Sequence, residues 1–371
     1  MKFEVEQNLL SEALSTASHA VPNKSTLEIL SNFLLHLEGN VLEISATDMD
    51  LGVNLKIEVN GLEDGKVVVK ARKLLEIVKG QQAKMPLVFQ VEDYQIKIRS
   101  GSYLGKLTGF DAMEFPTLPQ MEANKTIQIS SSELNFLSEK TLFAVSNDIT
   151  RMALNGVYFE HLDGKLSLVA TDGHRLGKAE IELAGESWEL GVIVPPKPLS
   201  FALRAVKADT DLEISMNDSH ICISTDNLKV FSKLIDGPYP KYQGVIPAQF
   251  EKNAVVPRDE LINVVGRVAL TANARTKQIK VSFNEGETVI SSRDQENSGD
   301  SNESIALQYE GEPDFAISFN AGFLGDILKM CPSDEVRLKM NTHVGACIIE
   351  PIGDGLDFFF LIMPLRLTEE N

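Results

Sequence analysis

Cysteine is scarce. Cys222, Cys331 and Cys347 are the only three in 371 residues, and none stands in a Cys-x-x-Cys pair. An odd, widely spaced set excludes a disulfide framework and a cysteine zinc site. Cys222 and Cys347 fall in strand-like runs, where a free thiol is a small core residue. Long apolar runs are missing too. The most marked one, Phe358 to Met363, is strand-sized, against the ~20 residues a membrane helix needs. The start, Met1-Lys2-Phe3-Glu4-Val5-Glu6, alternates as a strand does and lacks a secretory pattern. A cytoplasmic protein with no membrane partner is therefore expected. There is no GxSxG elbow, no HExxH and no GxxxxGK[ST] phosphate loop, so no metal or cofactor is expected. Positive charge is also short, with 35 Lys and Arg against 53 Asp and Glu, a net −18. Tight DNA binders neutralise phosphates with basic patches. DNA is then a partner only if something other than raw charge holds it.

What is present is a repeat. The apolar share of 43% suits a folded chain, and 371 residues suit two or three domains. Phe3-Glu4-Val5 reads as a strand, and Leu9, Leu10, Ala13, Leu14 and Ala17 follow at helical spacing. Three alternating runs come next, and the same order restarts at Lys66-Val67-Val68-Val69 with a helix near Lys73 to Lys79 carrying Leu74, Leu75 and Val78. Phe115-Pro116-Thr117-Leu118-Pro119 marks a linker. Beyond it, Ile127, Leu134, Lys197, Tyr239 and the Ala170-Thr171-Asp172 run each stand 124 residues after Phe3, Leu10, Lys73, Phe115 and the Ala46-Thr47-Asp48 run. A weaker third copy starts at Ala254-Val255-Val256. In it Ser292-Arg293-Asp294 stands for Ala-Thr-Asp, and Phe319 to Leu324 for the passage from strand to second helix. The fold expected is α+β: three similar domains, at 1–120, 125–246 and 247–371, each with two helices packed on antiparallel sheet. Short turns such as Leu162-Asp163-Gly164 join the strands. A few wedge-shaped domains form an arc, and two arcs close a ring.

Thr171-Asp172-Gly173-His174-Arg175-Leu176 has the parts of an acid/base site, and a hydrolase using Asp172 and His174 is one reading. A tight strand-to-strand turn with exposed polar side chains is the other. The first-repeat copy has Met49 and Asp50 where Gly173 and His174 stand, so the two cannot share histidine chemistry. His36 and His220 fall in alternating strands. A binding reading fits better: Leu176, Pro240, Val245 and the run Leu361-Ile362-Met363-Pro364-Leu365-Arg366-Leu367 would make a groove for a short apolar peptide. Such a three-domain peptide-binding scaffold need not meet DNA. The second helices carry Arg72, Lys73, Lys79, Lys197, Arg204, Lys207 and Lys329. On spacing alone, ordinary solvated helix faces account for them slightly better than a DNA lining does. A ring, however, needs little affinity, because topology prevents escape.

In combination, Met1-Lys2-Phe3, Ala71-Arg72-Lys73, Leu154-Asn155-Gly156, Val169 to Leu176, Val194-Pro195-Pro196-Lys197, Asp236 to Pro240 and Met363 to Leu367 resemble the bacterial sliding clamps, the beta subunits of DNA polymerase III. The resemblance runs over essentially the whole chain. It implies a head-to-tail homodimer, six domains of the DNA clamp fold closed as a ring around double-stranded DNA without sequence preference. It implies a processivity factor, not an enzyme, that tethers the DNA polymerase III catalytic subunit. It implies an ATP-driven clamp loader and other polymerases and repair proteins carrying a short apolar motif. Carried over, the peptide pocket is Leu154, Thr171, Gly173, His174, Arg175, Leu176, Pro240, Val245 and Leu361 to Leu367, Leu176 forming an apolar wall and His174 and Arg175 the rim. The DNA contacts are Lys24, Arg72, Lys73, Asn147, Arg151 and Lys197, with Asp148 nearby. The subunit interface joins Leu104 to Ala269 and Leu270. The chain departs from some relatives at Met152-Ala153, where they carry aromatics, at Gly244, where they carry a basic residue, and in the added Thr368-Glu369-Glu370-Asn371.

Overall fold

A computed structural model of the chain describes residues 1–119, 121–185, 187–188, 191–284, 286–294, 299–353 and 357–367. Six α-helices lie among them: α1 (Gln7–Ser18), α2 (Ala71–Lys79), α3 (Ser131–Glu139), α4 (Pro196–Ala205), α5 (Arg258–Val268) and α6 (Ala321–Met330). The remaining regular structure is antiparallel sheet with short 3-10 turns. The added carboxyl-terminal residues 368–371 and part of the 294–304 segment lie outside the described residues.

The helices form where the apolar spacing says they should. In α1 the buried stripe is Gln7, Leu10, Ala13, Leu14 and Ala17, which is the i, i+3, i+4, i+7 pattern of a core-facing helix. Leu9, read from the sequence as part of that face, is 38% exposed. It sits one residue, or about 100°, off the stripe, and Gln7 takes the place instead, donating through Nε2 to the Val78 carbonyl at 2.9 Å. Helix α2 buries Ala71, Leu74 and Val78 and lies beside α1. Helix α4 opens with Pro196 at its first turn, where a missing N–H costs nothing. It ends at Ala205, so Lys207 falls past the helix rather than on it. There the Lys207 carbonyl accepts the Ser131 and Thr210 hydroxyls.

Contacts divide the chain into two compact units, Met1–Leu134 with Val194–Leu234, and Asn135–Ile193 with Ile235–Asn371. In the first, Asn60–Glu63, Lys2–Glu6, Pro86–Glu92, Gln95–Ser100 and Tyr103–Thr108 form a five-stranded sheet in that spatial order. The eight-stranded sheet runs Lys125–Ser130, Asp211–Met216, His220–Ser224, Leu228–Lys233, Leu51–Glu58, Val41–Thr47, Asn32–Glu38 and Gly65–Lys70. Its middle joins two repeats, because Leu228 pairs with Leu55 and Ser232 with Leu51. In the second unit a nine-stranded sheet does the same. There Arg175–Glu182 pairs antiparallel with Phe358–Ile362, from Arg175 opposite Ile362 to Ala179 opposite Phe358. A four-stranded sheet, Gly299–Ile305, Glu287–Asp294, Gln278–Asn284 and Phe315–Asn320, completes it. Alternation sets the register in all of them, since a one-residue slip would turn every apolar side chain outward. The hairpin at Leu162-Asp163-Gly164-Lys165 closes on two residues with positive φ, Asp163 at 52° and Gly164 at 76°. That is the turn twist a two-residue hairpin requires.

One glycine is demanded by packing rather than by a turn. A Cβ at Gly177 would stand 2.2 Å from the Lys140 carbonyl oxygen. Gly177→Ala is expected to lower stability by about 2–3 kcal/mol through overpacking against backbone. Gly244→Ala, where a Cβ meets nothing within 4 Å, should stay within about 0.5 kcal/mol. Urea midpoints of the two variants check this. All three cysteines are free and buried. Burial pushes the Cys222 thiol up to about 11, the Cys331 thiol up to about 12 and raises Cys347 as well. Because the thiolate is the reactive form, a chromogenic disulfide reagent should find no fast-reacting thiol in the native protein and three after denaturation.

Candidate peptide groove, DNA-facing residues and subunit edges

The repeated Thr-Asp turn is built the same way twice. In the second repeat the Thr171 hydroxyl donates to the Arg175 carbonyl at 2.6 Å and accepts from Gly173 N at 3.1 Å. Asp172 Oδ1 accepts from the backbone N–H groups of His174 (2.9 Å) and Arg175 (3.0 Å). In the first repeat Thr47 donates to the Leu51 carbonyl and accepts from Met49 N, and Asp48 Oδ1 accepts from Asp50 N and Leu51 N. Every partner is shifted by the repeat offset. Met49 (φ 82°) takes the position of Gly173 (φ 89°). Thr and Asp are required here as turn-closing acceptors, which explains why both survive while Gly-His does not.

The tight turn read from the sequence is present and His174 is exposed on it, but two of its polar side chains are not. The Asp172 side chain is 15% exposed and that of Arg175 is 12%. Arg175 Nε donates to Asp172 Oδ2 at 3.1 Å and Nη1 to Asp326 Oδ2 on α6 at 2.6 Å. The guanidinium also lies over the rings of Phe143 (5.3 Å) and Phe323 (4.7 Å). Arg175 is therefore a tie between the turn and α6, not a rim residue. A planar cation with several donors is the side chain for such a place. His174 stacks on Phe323 with ring centroids 5.8 Å apart. With the Asp172 carboxylate occupied by backbone and Arg175, no acid/base pair forms. Among the described residues no group of three or more His, Cys, Asp or Glu side chains could hold a metal.

The two expected walls of the groove meet directly, since Met363 N donates to the His174 carbonyl at 2.8 Å. Leu176 pairs with Thr171 on one side and Leu361 on the other, and Leu361 with Ile348. These leucines are buried rather than standing as an exposed wall: Leu176 is 1% and Leu361 2% exposed. They belong to an apolar cluster with Val169, Tyr242, Ala346 and Ile348. Tyr158, Tyr239, Ile246, Phe250, Phe359 and Met363 pack partly exposed on top. Ile362 is fully buried from the helix-bearing side of the same strand. Leu154 is buried beneath its own loop, where its carbonyl accepts from Ser146 N. Pro240 and Val245 stay exposed, Val245 at 50%. Beyond Met363, Leu365 N donates to the Ser318 carbonyl and the Arg366 carbonyl accepts from Gln278. Pro364 and Leu367 are half-buried.

Sequence reasoning missed the aromatic part of this cluster. Tyr158 and Tyr239 stack at 4.8 Å, and Tyr242 donates to Glu160 at 3.1 Å. Burial raises the Tyr239 and Tyr242 hydroxyls, and the Glu160 carboxylate adds to the effect on Tyr242. The one sequence signal was their place beside Pro240 in a run that cannot continue a strand.

The cations assigned to DNA are exposed but differently engaged. Lys24 is exposed on its loop. Arg72 and Lys73 on α2 share Glu76, at 3.1 and 3.7 Å. Lys197 on α4 pairs with Asp48, the aspartate of the first Thr-Asp turn. Asn147 and Asp148 are exposed, and Arg151 reaches the Asp172 carbonyl at 3.4 Å, which places it at the groove turn. Its neighbours Ile149 and Met152 are 84% and 64% exposed. Of the interface residues, Leu104 is 50% and Leu270 85% exposed, with Ala269 opening the turn that carries Leu270.

Three family models match in series: the DNA polymerase III beta subunit N-terminal domain over residues 1–119, its central domain over 128–241 and its C-terminal domain over 243–366. The beta sliding clamp of Treponema pallidum is 32% identical over 373 residues, covering 99% of this chain and 100% of that protein. That of Vibrio cholerae is 29% identical over 370 residues with the same coverage. Among solved structures, a Pseudomonas aeruginosa sliding clamp bound to griselimycin superposes with a TM-score of 0.94 at 28% identity, covering 99% of this chain and 100% of that one. The Bacillus subtilis clamp gives 0.92 at 28% identity and the same coverage. The chain belongs to the DNA polymerase III beta subunit family, the beta sliding clamps.

Proposed function

We infer that two copies of this chain close head to tail into a ring of six domains, at 1–120, 125–246 and 247–371 in each copy, around duplex DNA. The ring holds the polymerase III catalytic subunit and other replication and repair proteins at the template, and a clamp loader opens it. The protein carries out no chemistry of its own and works in the cytoplasm. No helix among the described residues is long and apolar enough to cross a membrane.

One observation carries the ring. Each junction between repeats is a strand pairing, Leu51–Glu58 with Leu228–Lys233 and Arg175–Glu182 with Phe358–Ile362. The repeat offset maps Tyr103–Thr108 onto the strand around Leu228–Lys233, with Leu104 falling on Leu228. Leu228 is 4% exposed and Leu104 50%. Tyr103–Thr108 and Gly299–Ile305 each end their sheets with a free edge. Two complementary unpaired edges on one chain fit a third junction of the same kind made between copies, because a long bare edge invites pairing. In such a ring, weak contacts from Lys24, Arg72, Lys73, Asn147, Arg151 and Lys197 suffice, and the net charge of −18 is no obstacle. Exposed Ile149 and Met152 add apolar contact beside Arg151.

Partner proteins insert a short apolar segment over the Leu176–Leu361 floor, between the turn at Gly173 and His174, the Pro240–Val245 segment and the Met363 to Leu367 strand end. Thr171 and Arg175 hold the turn in shape, and Leu154 supports the loop beside it.

Three measurements test this. Loaded onto nicked circular DNA, the protein should be retained, and linearising the DNA should release it; equal loss from both forms rules out encirclement. Leu104→Asp and Leu270→Asp should each weaken self-association by at least about a hundredfold, as a charge buried at an apolar contact does, seen as monomer in light scattering. Met363→Asp should weaken an apolar partner peptide by at least about tenfold while leaving the dimer intact.

A further inference from the structure

Next to the apolar cluster the nine-stranded sheet carries a polar cavity of about 630 Å³. It is lined by Lys178, Glu180, Phe359, Glu350 and Arg337, with the 351–353 loop, Asp357 and Phe358 at its end. The two sites are continuous. Residues two apart on a strand share a face, so Lys178 lies on the face of Leu176 and Phe359 on that of Leu361. Lys178 sits opposite Val169 on one neighbouring strand and Phe359 on the other. Phe359 packs on the apolar cluster and also lines the cavity.

The charges there are unequally matched. Lys178 and Lys165 both bind Glu180, at 2.7 and 2.9 Å. Burial works against the Glu180 charge, but hydrogen bonds from these two lysines outweigh it and hold the carboxyl below its usual range. Lys339 binds Glu350 at 2.7 Å. Arg337, opposite Glu350 in the strand register, makes no ion pair among the described residues and is exposed. Asp357 is the remaining carboxylate of the lining. The lining itself holds two cations, Lys178 and Arg337, against three carboxylates; of the two cations, Arg337 is the one without an ion pair among the described residues, and its fork geometry suits a carboxylate.

We propose that this cavity is a flanking subsite of the groove, in which Arg337 receives the side-chain carboxylate of an Asp or Glu beside the partner's apolar segment. The subsite rests on the groove reading and adds specificity to it. A partner with an acidic flank gains a contact past Phe359, and one with a basic flank meets the Arg337 guanidinium.

Fluorescent synthetic peptides sharing one apolar core of leucine and phenylalanine test it. They carry three Glu, three Gln or three Lys on the amino-terminal or the carboxyl-terminal side, with amidated ends so that no terminal carboxylate contributes. With the full-length dimer, Glu should bind about two- to fivefold tighter than Gln on one side only, the range for an exposed charge pair. The gain should shrink in 0.5 M salt. Arg337→Gln should abolish the gain while leaving the Gln peptides unchanged, and Arg337→Glu should turn the preference toward Lys. If all peptides bind but Glu and Gln do not differ, or the difference survives in Arg337→Gln, the subsite is wrong and the groove stands. If the core peptide binds nowhere, or binds equally to Met363→Asp, the groove reading fails and the subsite falls with it. An equal gain from a free carboxyl terminus on a Gln peptide, also lost in Arg337→Gln, would overturn the assignment to a side chain.

Discussion

The structure depends on sheets that do not stop at the end of a repeat. Leu51–Glu58 runs into Leu228–Lys233, and Arg175–Glu182 into Phe358–Ile362. At these junctions strands of successive repeats pair backbone to backbone, so separating repeats would expose unsatisfied N–H and C=O groups. The helices can then be short, since each needs only to cover sheet that is already continuous. The same constraint leaves an edge at each end of the series, and an edge is a demand for a partner.

The Thr-Asp turn stands where one such junction begins, and it serves the junction. Asp172 orders the backbone and Arg175 carries that order into α6 through Asp326. Asp48 does the corresponding work with Lys197 on α4. Acid, base and cation close together in sequence need not be catalytic: here two carboxylates are used up on backbone N–H groups and one cation each. The second junction has further ties. Besides the Arg175 tie it has the Lys140 ammonium donating to the Met330 carbonyl at the end of α6 (2.8 Å), Phe136 against Phe358 and Phe143 against Phe360. A groove for a partner benefits from such support, because a floor that does not shift costs the partner less ordering.

Much of this was legible in the chain. Apolar periodicity marked α1, α2 and the hairpin strands, and the offset between Ala46-Thr47-Asp48 and Ala170-Thr171-Asp172 exposed the duplication. The errors share one physical cause. Leu9 and Leu176 were given roles from residue type, but which side of an element is covered depends on what packs there. Arg175 was placed at a rim with the pocket carried over from the family resemblance, whereas Asp326, Phe143 and Phe323 come to it from residues far away in sequence. The aromatic cover of Tyr158, Tyr239 and Phe359 comes from three separated segments, and no local pattern could have gathered it.

The sequence by itself determined the α+β class, the threefold repeat, the absence of a cysteine framework and the family. These follow from local periodicity, spacing and composition, which need no knowledge of distant contacts. Only the tertiary structure decided that Leu176 and Leu361 are buried in one apolar cluster, that Arg175 is a tie, that Lys197 is held by Asp48, and that a charged cavity adjoins that cluster. Those outcomes depend on register between strands from different repeats, and register is set by the packing of whole sheets rather than by any one stretch of chain.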